Sequence, residues 1–171
     1  MTTLVRYRPD NFSIRAATPA DVPLILSLIQ GLAEYERLSD DCVATVEELE
    51  KWLFVEKKAE VIIGVADGDP VGFALFFTSF STFLAKPGIY LEDLFVIPKA
   101  RGNGYGKQIL RHLAGLVVER GYGRLEWACL DWNKPSIAFY LSLGAVPMDE
   151  WTTYRLTGDA LETLAAQGKK K

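Results

Sequence analysis

The sequence predicts an α/β sandwich built on a mixed sheet, and three observations carry that prediction. Apolar residues recur at helical spacing in several segments. Other segments are β-branched and apolar runs of strand length, bounded by turn residues. The two kinds follow one another as strand, helices, hairpin and strand, then strand, helix, strand, helix and strand. With 171 residues the chain suits a single domain, 1–171, and no linker, repeat or low-complexity tract divides it.

After a lead-in ending Arg8-Pro9-Asp10-Asn11, Phe12 to Ala16 reads as a short strand. Thr18-Pro19-Ala20-Asp21 starts a helix: Thr18 is a cap, proline suits the first position, and Asp21 favours the positive end of the dipole. Val22, Ile25, Leu26, Ile29, Leu32 and Ala33 then mark its inward face. Thr45-Val46-Glu47-Glu48 is a capping box opening a second helix through Trp52 or Leu53. Glu60 to Ala66 and Val71 to Phe80 read as a hairpin around the turn Asp67-Gly68-Asp69-Pro70. Lys86-Pro87-Gly88 breaks the chain before a strand from Ile89 to Ile97. A glycine-rich loop leads into a helix from about Gly104 to Glu119, with Ile109, Leu110, Leu113, Leu116 and Val117 inward and Gly121 ending it. Arg124 to Leu130 reads as a strand, Pro135 to Leu143 as a helix stopped by Gly144, and Trp151 to Leu156 as a last strand.

Composition is ordinary for a globular domain, with 49% hydrophobic and 24% charged residues. The balance of 19 basic against 22 acidic residues, a net charge of −3, provides no basic field for nucleic acid. Lys169, Lys170 and Lys171 read as a frayed, solvated tail. Cys42 and Cys129 form neither a disulfide framework nor a metal cluster. No apolar run approaches the ~20 residues of a membrane span, and the N-terminus lacks a signal-peptide core. A soluble protein of a reducing compartment, the cytoplasm, is expected, with no membrane or nucleic-acid partner.

Chemistry concentrates in three places. Arg101-Gly102-Asn103-Gly104-Tyr105-Gly106-Lys107 joins a strand to a helix, and alternate glycines there let main-chain N–H groups approach an anion. The spacing fails the G-x-G-x-x-G dinucleotide fingerprint, and a P-loop needs glycine at 101 and Ser or Thr at 108. Glu92 and Asp93 interrupt an apolar strand. Strand alternation sends them to opposite faces, so at least one meets a covered surface or cleft. Burial of a carboxylate is costly without a partner or a use; an ion pair to a helix and a catalytic base both stay open. Asn133 before Pro135 reads as a helix cap, and Tyr140, two turns on, reads from periodicity as a packing residue with its hydroxyl at the surface. His112 reads as a partly exposed helix residue rather than a catalyst.

Arg101, Gly104 and Gly106 match R-x-x-G-x-G. With Tyr90-Leu91-Glu92-Asp93-Leu94-Phe95-Val96, the stretch Trp132 to Tyr140 and Gly144-Ala145, the chain resembles the GNAT superfamily of N-acetyltransferases from about Ser13 to Leu156. Within it, the chain is similar to the spermidine/spermine and thialysine N-acetyltransferases. The resemblance implies a mixed, mostly antiparallel sheet with helices on both faces and two splayed parallel central strands. Acetyl-CoA, the acyl donor, is then expected between Glu92–Ile97 and Arg124–Leu130. Its pantetheine arm would meet the backbone of Leu94, Phe95 and Val96, with Asn133 nearby. Its phosphates would meet Gly102, Asn103, Gly104, Tyr105, Gly106 and Lys107, with Arg101 as the guanidinium and Lys99 able to share.

An alkylamine of pKa ~10.4 is only roughly 0.04% neutral at pH 7, a deficit of about 4.6 kcal/mol. The site must therefore take a proton before nitrogen attacks the thioester. The resemblance makes Glu92 the proton acceptor, through a water, and Asp93 its neighbour in the substrate site. It makes Tyr140 the proton donor to the departing thiolate. No metal is required. The acceptor is expected to be a small primary amine, a diamine or polyamine or a lysine- or thialysine-like compound. Glu34, within the acidic group of Glu36, Asp40 and Asp41, would steer the cation. The chain departs from the polyamine enzymes at Ser81 and Phe83, where they carry an acidic residue and a tryptophan, so Phe83 belongs to the region that selects the acceptor. A homodimer is implied, with Trp151 to Leu156 as a candidate interface strand. An acyl-CoA sensor without turnover and the acetylation of protein amines are the alternatives.

Overall fold

A computed structural model describes residues 11–168. The expected lead-in before Asn11 and the lysine tail lie outside the described residues. By contact the chain divides into two compact units, residues 1–128 and 129–171.

The first unit is a five-stranded sheet in the order β1-β2-β3-β4-β5. Its strands are β1 (Phe12–Ala16), β2 (Glu60–Ala66), β3 (Asp69–Ser81), β4 (Lys86–Val96) and β5 (Leu125–Trp127). The first four pair antiparallel in sequence, and β5 runs parallel to β4. The helices are α1 (Val22–Glu36), α2 (Val46–Glu50), which continues as a π-helical turn over Lys51–Val55, and α3 (Tyr105–Glu119).

Helices cover both faces, which is why β2 and β3 are apolar almost without alternation. On one side Ile25 and Leu28 of α1 and Leu53 pack with Val61, Ile63, Phe73 and Phe95. On the other, Ala66, Val71, Ala100 and Tyr105 form a second cluster with Phe12, and Ile109 and Leu113 of α3 are fully buried. The entry to α1 is fixed by Asp21, which accepts from the Thr18 N–H at 2.8 Å and pairs with Arg15 at 2.7 Å. Thr45 caps α2 as expected, its hydroxyl accepting from the Glu48 N–H at 3.2 Å. Asp67 and Gly68 turn the β2–β3 hairpin with φ of 52° and 88°.

The second unit holds α4 (Lys134–Ser142) and α5 (Gly158–Gln167). Two expectations are corrected in the chain's last third. The strand expected over Arg124 to Leu130 is only the three residues of β5. Residues Trp151 to Leu156 form no strand: they join no ladder of the sheet, and a strand without a partner leaves its amides unpaired. Helix α5, unforeseen, follows Thr157 at its N-cap, with Asp159 in its first turn.

Candidate active site

The loop between β4 and α3 is shaped to present amides. Pro98–Ala100 make one 3-10 turn. Gly102 and Gly104 then take left-handed backbone, φ 82° and 78°. A Cβ on either would meet no heavy atom within 4 Å. The backbone angle, not crowding, therefore calls for glycine. Asn103 holds the bend, its Nδ2 donating to the Ala100 carbonyl at 2.9 Å and the Arg101 carbonyl at 3.3 Å. Gly104 is the N-cap of α3, so no side chain caps the first N–H groups. Those amides and the positive end of the helix dipole suit a diphosphate. Tyr105 is buried and stacked on Phe12 at 4.5 Å. It anchors the loop from below, and only its backbone can reach a ligand. The side chains of Lys99, Arg101 and Lys107 are exposed.

Strand β4 changes character at Glu92. Leu75 of β3 pairs with Asp93 while Phe76 pairs with Leu91, so Glu92 is the extra residue of a β-bulge. On its other side β4 pairs with β5 only through Ile89, Tyr90 and Leu91. The bulge and the parting of the parallel strands coincide. Beyond them, the Ile97 N–H donates to the Val71 carbonyl at 2.9 Å. Peptide groups alternate along a strand, so those of Val96 and Leu94 face the edge that β5 has left. An amide-bearing arm can pair there as an added strand does. The Phe95 side chain is in the core, beside Gly31.

The bulge also removes the strict alternation on which the opposite facing of Glu92 and Asp93 rested. Asp93 is pushed up to about 6, first by burial, then by the negative charges of Glu92 and Glu36. Burial raises Glu36 as well, and burial with Glu92 and Glu126 raises the Tyr90 phenol. Glu92 and Glu36 thus both act on the Asp93 carboxyl where β4 and β5 separate, while Glu92 itself is exposed. Such a cluster attracts a cation and accepts a proton.

Glu36, not Glu34, acts on Asp93; Glu34 is exposed. The sequence carried a signal for this. Leu28 and Leu32 pack into the core, and Glu36 lies one further turn along the same helical face. Phe83 stands 96% exposed at the tip of the β3–β4 hairpin. Ser81 is buried and closes that hairpin, its Oγ accepting from the Leu84 N–H at 3.3 Å.

Two candidates lie in the second unit. Asn133 is buried and caps α4, accepting from the Ser136 N–H at 3.4 Å. Tyr140 is half-buried on α4, its ring 5.4 Å from that of Phe139. A recess of about 510 Å³ beside α3 holds none of these residues except the exposed His112 on its wall, and its two arginines are tied to Asp21 and Glu60 at 2.7 Å.

Residues 27–145 match the acetyltransferase (GNAT) family. The chain is 38% identical to the thialysine N-epsilon-acetyltransferase of Bos taurus, over 90% of this chain and 97% of that one. It is 34% identical to an L-ornithine N5-acetyltransferase of Arabidopsis thaliana, over 88% and 86% of the two chains. The solved structure of an integron cassette protein from the mobile metagenome of V. cholerae superposes with a TM-score of 0.77 at 28% identity, covering 91% of this chain and 98% of that one. This chain belongs to the GNAT family of acetyltransferases. It is an N-acetyltransferase that uses acetyl-CoA as its acyl donor.

Proposed function

We propose that the acceptor is the terminal primary amine of a small lysine- or ornithine-like molecule, acetylated by direct attack. One observation carries this reading: the charges of Glu92 and Glu36 act on the half-buried Asp93 carboxyl beside the point where β4 and β5 part. Acids there attract the ammonium form that prevails in water and can also take its proton. The relatives named for thialysine and ornithine support an amino-acid acceptor. Ser81, spent on closing the hairpin, adds no charge for the second nitrogen of a polyamine.

In this reading the glycine loop and the start of α3 hold the diphosphate, with Arg101 or Lys107 adding charge. Leu94 and Val96 hold the pantetheine amides. Glu92 accepts the amine proton through a water, with Asp93 and Glu36 setting its field. Nitrogen then attacks the thioester carbon, the C–S bond breaks, and Tyr140 gives its proton to the thiolate. A phenol of pKa ~10 remains protonated at pH 7 and can serve as that donor. Products are the amide and free coenzyme A. Asn133 shapes the start of the helix that bears Tyr140. The active protein is a homodimer, and the apolar, exposed Trp151 and Tyr154 belong to its interface.

Thiol release from acetyl-CoA, followed against lysine, thialysine, ornithine, spermidine, spermine and a lysine-containing peptide, tests the acceptor. Turnover with the amino acids is expected; a strong preference for polyamines or the peptide, or silence with every amino acid, overturns the assignment. Tyr140→Phe is expected to bind acetyl-CoA normally and lose about 90% or more of kcat, as removal of a general acid does. Retained turnover removes Tyr140 from that role.

A further inference from the structure

Arg101 does not extend over the glycine loop. Its Nε donates to the Val96 carbonyl at 2.9 Å. Its guanidinium lies 4.3 Å from the centre of the Tyr35 ring on α1 and 5.4 Å from that of Phe95. The Val96 carbonyl is one of the outward-facing acceptors of the β4 edge, since the neighbouring Ile97 N–H points the other way, to Val71. The cation best suited to a diphosphate therefore sits on the backbone group that an amide-bearing arm would pair with.

We propose that Tyr35 is a positioning residue for the acyl donor: its ring holds Arg101 on Val96, and donor binding must move the guanidinium from this seat to the diphosphate. The inference rests on the acyl-donor site described above. Two attractions hold the seat, a hydrogen bond to the carbonyl and a cation–π contact with the ring. Both are given up when the pantetheine arm takes the edge. The contact with phosphate replaces them with a stronger, charge-assisted one. Binding strength is thus reduced by the fraction of molecules in which Arg101 is seated. Tyr35 also directly precedes Glu36, so the seat ties the donor loop to the helix that bears one of the acceptor-site carboxyls.

The consequence runs against the usual effect of truncating a side chain. Coenzyme A titrated by calorimetry into Tyr35→Leu is expected to bind about three- to tenfold more tightly than to the wild type, from loss of a single cation–π contact. Tyr35→Phe, which keeps the ring beside Arg101, is expected to stay closer to the wild type than Tyr35→Leu does. Arg101→Gln is expected to bind more weakly, and adding Tyr35→Leu to it to change nothing further. A folded Tyr35→Leu protein, checked by its thermal melt, that binds coenzyme A equally or less well overturns the proposal. Should that variant not fold, the Arg101 Nε–H resonance of the wild type decides. Shifted by the Tyr35 ring current, it is expected to move on saturation with coenzyme A, and a stationary resonance overturns the seat. Failure of the wild type to bind coenzyme A would instead overturn the donor site itself.

Discussion

Asp93 holds a carboxyl at about 6 mainly because it is buried, with Glu92 and Glu36 adding to the effect. Its folded-state value lies above the ordinary 3.8, so the folded protein binds the extra proton between those limits. The contribution of Asp93 to stability is therefore fullest below about pH 4 and is lost as pH rises through 6. Asp93→Asn is expected to flatten that fall and to exceed the wild type by roughly 2–3 kcal/mol at pH 7.5, while matching it near pH 4. Urea denaturation at both values is the check, and equal slopes with pH would remove Asp93 as the cause. In activity, kcat/KM should carry an acidic limb near pH 6 that belongs to Asp93, whose ionisation the charges of Glu92 and Glu36 oppose. Glu92→Gln should lower the rate and displace that limb; an unchanged profile would take the base role from Glu92. The carboxylates were legible in the sequence because they interrupt an apolar strand. That the Asp93 carboxyl is pushed up was not legible, since burial is a property of what α1 and β3 lay against it.

Strand β4 is the element on which the site depends, and its register is held tightly. A Cβ at Gly72 would come 2.5 Å from the Phe95 carbonyl oxygen and 3.2 Å from Val96. Gly72→Ala must push β3 and β4 apart just where β4 offers its free edge. A loss of about 1–3 kcal/mol is expected in thermal or urea unfolding, together with weaker acetyl-CoA binding. A variant of native stability would show that the strands shift without cost. β1 and β2 match their expected limits residue for residue because turn residues bound them, with an alternating pattern in β1 and an unbroken apolar run over Val61–Ala66 in β2. The bulge at Glu92 has no such marker, because it is set by where β3 pairs. β5 is shorter than its apolar sequence suggested, since β4 offers it a partner only as far as Leu91. Trp151 to Leu156 has strand-like composition without a ladder, and α5 was missed although Thr157, Asp159, Leu161 and Leu164 carry cap and spacing signals.

For the whole molecule, the proposed dimer interface includes Trp151 and Tyr154, which are 72% and 92% exposed. Sedimentation is expected to give a dimer, and Trp151→Asp with Tyr154→Asp to give monomers; a monomeric wild type would refute the interface. Among the described residues no helix is long and apolar enough to cross a membrane. The sequence by itself determined the class of fold, the order of its elements as far as α4, the anion-binding loop and the two acidic residues in a largely buried strand. These follow from periodicity, glycine spacing and charge, all properties of neighbours along the chain. Tertiary structure decided which acids act together, where the parallel strands part and what Arg101 touches. Each of those depends on strand register or on a helix packed across the sheet, and no local pattern encodes contacts between residues so distant in the chain.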